Sequence, residues 1–551
     1  MYIIRVVGSS FYSVRAFRGI VMNDRKYIIA YDIGSTSNKT CLYEIRRGVE
    51  QGIKLISEAS EKYPLYMVEN GGVEQSPDDW WISMRVTTPK VIAGAGINRD
   101  QVEAISFCSQ MQGLVLVDKQ GETLRPAMSY MDKRATKEFE EWCAGSVKIA
   151  GINARKLLIS LNETGVVAGS AKDPVFRYKW VRDNEPEIFE KIYKWLDVKD
   201  YLVLRATGVA CGSRDSAFAT LLYNEKEGHF GSKVCGLHEV DKDHLPDIVE
   251  CTDMVGRLTK KASEELGLDE DCKVFSGGGD SALIGVGAGC AEVGDTHIYI
   301  GTSGWVSTVV DKAMVDTKAM IASAVGIQPG KYNYFAEMET SGKCIEWARD
   351  NIVKDSINAY GDVSFDDAEV LDVMTASAAR SPAGSGGVIF LPWLLGNRCP
   401  FEDADCRGGF FNISLTTKEE DLIRAVLEGI LFHKKWMLES QDNKIQTSRV
   451  IRAVGGGARS DLICQIFADI TGRKVERCLD PQGAGAFGAA ILMAYGLKCI
   501  ESLDEAKNLV KVEKEFIPDP ADRASYDKAY KVFKLLYKQN KENFNLMNRE
   551  V

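Results

Sequence analysis

Short apolar runs alternate with glycine turns along this chain, and their order predicts its elements. Residues 27–31 form an apolar run that ends in Asp32-Ile33-Gly34-Ser35-Thr36, and residues 39–45 resume as a second strand. The same layout of strand, turn and returning strand recurs over residues 296–309 around Gly301-Thr302-Ser303-Gly304. Between the two lies a further glycine turn, Gly277-Gly278-Gly279, which closes on a single acid, Asp280.

Later segments read as helices and strands with turns at their ends. A buried strand is predicted over 388–395. Residues 417–440 carry Leu422, Ile423, Val426, Leu427, Ile430 and Leu431 at helical spacing, with Thr417 and Glu420 as a capping box. A strand over 452–454 leads into Gly455-Gly456-Gly457 and then a helix through Gln465 and Asp469. Residues 483–496, rich in Ala and Gly, predict a closely packed helix under that turn. Residues 522–540, with Tyr526, Tyr530, Phe533 and Tyr537, predict an amphipathic helix docked on the C-terminal half. Trp180 and Trp195 are expected in the core.

Length and charge narrow the picture. At 551 residues the chain exceeds what one core supports, so two to four domains are expected. A net charge of −10 with no long basic run argues against nonspecific nucleic-acid binding. Fourteen cysteines without a CxxC pair, and only five histidines, point to neither a zinc site nor a disulfide framework, and fit a reducing cytoplasm. No apolar run approaches the roughly 20 residues of a membrane helix. Residues 1–21 differ in character from the rest of the chain, and Met22 opens a conventional start, so 1–21 read as a start-site extension in preference to a targeting peptide.

The chemistry lies in the turns. Glycines leave backbone N–H groups open to an anion, and neighbouring Ser and Thr hydroxyls add donors, so both Gly34-Ser35-Thr36 and Gly301-Thr302-Ser303 suit a phosphate. Plain β-hairpins also favour such residues. Asp32 weighs against that bland alternative, because an acid beside a phosphate is repulsive unless a cation such as Mg²⁺ lies between them. Asp280 could take a proton from a hydroxyl, and a phosphate turn folded back beside it would place the acceptor. At Gly455-Gly456-Gly457 a nucleotide-base contact and a simple tight turn are equally compatible with the residues.

With these residues in view the sequence resembles the FGGY carbohydrate kinases, from residue 27 to about 537. Asp32-Ile-Gly34-Ser35-Thr36, with Lys39, is similar to the family's first phosphate motif. Val73 to Trp81 resembles its VEQ-x-P-x-DWW segment, and Arg177 through Tyr201 one family signature, with Arg177 where Lys is usual. Gly396-Asn397-Arg398-Cys399-Pro400 resembles its Gly-Glu-Arg-Thr-Pro loop. Residues 407–413 with the following helix resemble the second signature, with Asn412 for a usual Gly.

The resemblance implies an α/β fold of two actin-like (ribonuclease H-like) ATPase domains, about 22–289 and 290–545, facing each other across a cleft. It implies ATP-dependent phosphorylation of a small sugar or polyol, with D-xylulose first and ribulose, erythritol and gluconate as alternatives. ATP would contact Gly34, Ser35, Thr36, Lys39, Gly301, Thr302, Ser303 and the adenine turn Gly455, Gly456 and Gly457. Mg²⁺ would lie near Asp32, and Asp280 would be the general base. Gln110, Met111, Gln112 and Asp132 would line the sugar, with Gln112 and Tyr130 standing where related kinases carry His and Trp. No nucleic acid and no membrane are implied as partners, and a homodimer is left open beside a monomer. A non-catalytic ATP-binding protein of the actin or Hsp70 kind is the alternative from another class. The Gln110-Met111-Gln112 segment, Asp132 and Asp280 argue against it.

Overall fold

Two mixed sheets, one from each half of the chain, repeat one strand plan. The computed structural model describes residues 25–46, 52–149, 151–353 and 367–548, so the expected start-site extension at 1–21 lies outside them. The first sheet runs Met254–Arg257, Lys273–Phe275, Val102–Ser109, Arg25–Ile33, Ser37–Arg46, Gly52–Lys62. The second runs Val315–Asp316, Ile321–Val325, Tyr332–Met338, Gly304–Val310, Thr296–Ile300, Val450–Val454, Lys474–Cys478, Val512–Phe516. Each centres on one strand that is antiparallel to its hairpin partner and parallel to a strand from far along the chain. Arg25–Ile33 lies between Ser37–Arg46 and Val102–Ser109, and Thr296–Ile300 between Gly304–Val310 and Val450–Val454. This doubled plan is the actin-like α/β architecture expected.

The central strands are apolar on both faces because both are covered. Ile29 and Tyr31 pack with Trp80, Trp81 and Phe107 on one side of the first sheet. Ile28 and Ala30 point the other way, into a core shared with Leu283, Ala486 and Leu492. That second core joins the halves. Its helices Asp280–Gly287 and Ala484–Gly496 cross closely: a Cβ on Gly287 would overlap the Ala484 carbonyl oxygen, and one on Gly488 the Leu283 carbonyl oxygen.

Four expectations are revised. The Ala- and Gly-rich helix, expected beneath Gly455–Gly457, has its body between the two sheets, because its small residues serve the helix crossing. Only the loop before it reaches the turn, where Gly455 N donates to Pro481 O at 2.7 Å. The long helix is Glu419–Asp442, and the acid that closes its first turn is Asp421, whose Oδ2 accepts from Lys418 N at 3.0 Å. Thr417 is spent on the preceding turn, its hydroxyl accepting from Ser414 N at 3.0 Å. The strand expected over 388–395 shortens to Ile389–Leu391, as Pro392 brings no N–H to a ladder. Trp180 is only half-buried and carries the Arg134 guanidinium 4.7 Å from its ring centroid, whereas Trp195 is core. The tail helix, Arg523–Asn548, buries Tyr526, Tyr530, Phe533 and Tyr537 as expected.

Candidate active site

The two hairpin turns are built alike. In each the glycine N–H closes the turn, Gly34 N on Ser37 O at 2.9 Å and Gly301 N on Ser303 O at 3.1 Å. Among the described residues the next two N–H groups, of Ser35 and Thr36 and of Thr302 and Ser303, have no protein acceptor. Two adjacent open donors on an exposed turn are what an anion needs. The first turn is braced from behind: Tyr63 Oη donates to Gly34 O at 2.6 Å and Ser37 O at 2.9 Å, and Gln75 Nε2 to Ser35 O at 2.8 Å. The second is braced by the start of the helix Gly342–Ala348, where Gly342 N donates to Gly301 O at 2.7 Å and Ser341 N to Thr302 O at 3.1 Å.

Asp32 is the penultimate residue of the central strand of the first half, and Asp280 begins the helix that follows Gly279. Gly277, at φ +76, lies against the Phe107 backbone, where any side chain would collide. Asp215 fixes the end of this turn: its Oδ2 accepts from Gly279 N at 2.6 Å, while its other oxygen takes the Ser213 hydroxyl and, at 3.3 Å, the Cys251 thiol. Lys199 balances that buried cluster from Asp200 at 2.6 Å.

Asp280 is thereby held with one oxygen on Ser281 N at 2.7 Å. Burial, reinforced by the charges of Asp32, Glu337 and Asp197, pushes its carboxyl up to about 7 against that hydrogen bond. Burial likewise lifts Asp32 to about 6, opposed by the Cys108 thiol and Lys39. Two carboxyls within electrostatic reach, one poised near neutrality, have the chemistry that proton transfer requires.

The segments expected to line the sugar divide. Gln110 is buried, its Nε2 donating to Gln75 Oε1 at 2.8 Å, and its Oε1 has no hydrogen-bond partner. Met111 is half-buried, packs on Gly279 and receives the Ser281 hydroxyl on its sulfur at 3.2 Å. Gln112 adopts φ +61, held by Asp197, which accepts from its N–H at 2.9 Å, and by Arg177, which donates to its carbonyl at 2.5 Å; its side-chain amide reaches Ala219 O at 3.4 Å.

Asp132 does not line the wall. It has no exposed surface, and its oxygens accept from Val73 N at 2.9 Å, Arg134 N at 3.0 Å and the Arg134 guanidinium at 2.7 Å. Tyr130 and Lys133 of its segment are exposed, and the Tyr130 hydroxyl lies 3.3 Å from Ser35 Oγ. Asp132 anchors its segment, tying Arg134 to the Val73 backbone.

On the opposite side Gly455, at φ +94, lies against the Ile300 backbone, and Gly457 against the Ile300 side chain, so the strand ending at the second hairpin turn and the three-glycine turn are neighbours. Lys39 reaches across from the first half, 3.0 Å from Glu58 and 3.6 Å from Asp480, and so ties the first hairpin to the loop preceding Ala484–Gly496. Asp32 meets the same helix, since a Cβ on Gly485 would lie 2.6 Å from its Oδ2.

Sequence reasoning missed several of these residues. Tyr63, Asp197 and Asp215 act through hydrogen bonds to backbone far along the chain, and no spacing announces them. Glu337 and Arg398, 3.7 Å apart, come from separate elements of the second half, and Lys172 of the first half lies 3.8 Å from Glu339.

Fold and site together set two glycine turns with open N–H groups and two acids, Asp32 and Asp280, where two actin-like halves meet. Residues 27–287 match the N-terminal domain of the FGGY family of carbohydrate kinases, and residues 297–497 its C-terminal domain. The chain belongs to that family. A xylulose kinase from Bacillus subtilis is 28% identical over 521 residues, covering 94% of this chain and 98% of the relative. A gluconokinase from the same organism is 26% identical over 495 residues, covering 88% and 90%. Among solved structures, a ligand-bound xylulose kinase from Lactobacillus acidophilus superposes with a TM-score of 0.81 at 24% identity, covering 95% of this chain and all of the other.

Proposed function

We propose that this chain transfers the γ-phosphate of ATP to a hydroxyl of a small sugar or polyol, with D-xylulose as substrate and D-xylulose 5-phosphate as product. The observation that carries this reading is Asp280, a carboxyl near neutrality at the head of a helix, in electrostatic reach of Asp32. Asp280 takes the proton of the sugar hydroxyl as its oxygen attacks phosphorus. The open N–H groups of Ser35, Thr36, Thr302 and Ser303 hold the phosphates, and Gly455, Gly456 and Gly457 admit the adenosine. Gln110, Met111 and Gln112 orient the sugar, with Tyr130 as the wall. Because a general base supplies only about 10²–10⁴ in rate, most of the acceleration rests on positioning and electrostatics in the cleft.

Among the described residues no group of three or more His, Cys, Asp or Glu side chains gathers to hold a metal ion. Asp32 nonetheless fits Mg²⁺, a cation that takes one or two carboxylates and completes its shell with phosphate oxygens and water. When bound there it would neutralise charge on the transferring phosphate.

The charge of the cleft supports a neutral substrate over an aldonate. Glu337, Glu339, Asp173 and Asp280 outnumber Arg398 and Lys172, and the two cations are already matched by Glu337 and Glu339. Among the described residues no helix is long and apolar enough to cross a membrane, and all fourteen cysteines are buried thiols, in keeping with work in a reducing cytoplasm. The test is ADP release, enzymatically coupled, across pentuloses, alditols and aldonates. D-Xylulose should give the highest kcat/KM, and a preference for gluconate would overturn the assignment.

A further inference from the structure

The helix Glu419–Asp442 carries a lysine where its pattern calls for an apolar residue. Lys434 has no exposed surface, and among the described residues no acidic side chain pairs with it. Lys199, almost as deeply buried, has Asp200 at 2.6 Å. The Lys434 ammonium donates to one acceptor, Tyr299 O, at 2.8 Å, which leaves capacity for two more bonds. Burying a charge without a partner is costly, and a Leu or Met would fill the same space without that cost.

Its surroundings suggest why the charge is kept. Tyr299 is two residues before Gly301, on the strand that ends in the second phosphate turn. Gly304 closes that turn, and a Cβ there would collide with the Lys434 ammonium and lie 2.9 Å from Ser341 Oγ. The Ser341 hydroxyl is itself buried and lacks a hydrogen-bond partner, although its backbone N–H holds Thr302 O. An unmatched ammonium and an unmatched hydroxyl therefore sit together directly behind the turn whose outward N–H groups are open.

We propose that Lys434 is a positioning residue for the terminal phosphates of the nucleotide, its ammonium serving as the counter-charge behind the Gly301–Gly304 turn. The inference rests on the reading of that turn as a phosphate site. Burial draws Lys434 down to about 7, so its charge is weakly held while no anion faces it. A polyphosphate on the far side of the turn favours the charged form, and the charge in turn favours the polyphosphate. Acting through the backbone, the ammonium needs no opening to solvent.

Calorimetric binding of ATP and of adenosine to the full chain tests this. Lys434→Met should weaken ATP by about tenfold or more, the size of one charged interaction, while adenosine affinity stays within error and the melting temperature holds or rises. Lys434→Arg should retain most of the ATP affinity. Should Lys434→Met aggregate, Lys434→Gln keeps a donor for Tyr299 O without the charge and should show the same split. Equal ATP affinity in Lys434→Met and the parent overturns the proposal. So does a parallel loss for ATP and adenosine, or misfolding of both uncharged variants, since each assigns the lysine to the fold. Failure of the parent to bind ATP would instead refute the phosphate reading of the turn.

Discussion

Replacing Asp280 with Asn separates its chemical role from its cost to the fold. The amide keeps an oxygen for Ser281 N, now at 2.7 Å, and nearly the same volume, but it cannot take a proton. Turnover should fall by about a hundredfold or more, the lower bound for losing a general base, while ATP binding at the glycine turns is unaffected. Stability should move the other way. The Asp280 carboxyl rises from an ordinary 3.8 to about 7 in the folded chain. Between those values the folded state keeps a proton that the unfolded chain releases, so this group's contribution favours folding below pH 4 and is lost as pH climbs to 7. The full rise corresponds to about 4 kcal/mol, and the water that reaches this half-buried side chain reduces the expected gain in Asp280→Asn at pH 8 to about 2 kcal/mol. Coupled ADP release and thermal melts at pH 4 and pH 8 read both effects. The variant should melt higher than the parent at pH 8 and alike at pH 4, and the parent's kcat/KM should rise through about pH 7. Near-normal turnover, or a lower melting temperature at pH 8, would refute the reasoning.

Two further substitutions probe the specificity wall and the joint between the halves. Gln112 is held by its backbone to Asp197 and Arg177, so Gln112→His changes the side chain on a fixed frame. The kcat/KM ratio of D-xylulose to its best competitor should shift by about tenfold, or 1.4 kcal/mol, and an unchanged ratio would mean that Gln112 does not touch the sugar. Gly488→Ala sets a methyl group against the Leu283 carbonyl oxygen, which cannot rotate away, and should cost about 3 kcal/mol in chemical denaturation. Unchanged stability would show that the two central helices do not pack so closely.

The doubled fold was legible because both hairpins present the same local signal, an apolar strand, a turn of Gly, Ser and Thr, and a return. Asp32 and Asp280 were legible for a related reason, since each is a lone acid attached to a turn. What escaped was whatever depends on distant chain. Asp132 looks like a pocket residue until Arg134 and the Val73 N–H are found to occupy it. Residues 483–496 looked like a support for the glycine turn, because a run of Ala and Gly records close packing without recording the partner. Lys434 was passed over inside an apolar helix, where sequence cannot tell a snorkelling lysine from a buried one.

The central claim is group transfer to a sugar, and it is tested most directly by phosphorus NMR of the full chain with ATP, Mg²⁺ and D-xylulose. The account predicts a new phosphomonoester signal that grows in step with ADP, coupled to the protons on C5 of the sugar and absent when the sugar is omitted. Inorganic phosphate accumulating with ADP at the same rate with and without sugar, and no ester, would contradict it and leave an ATP-hydrolysing protein of the actin kind.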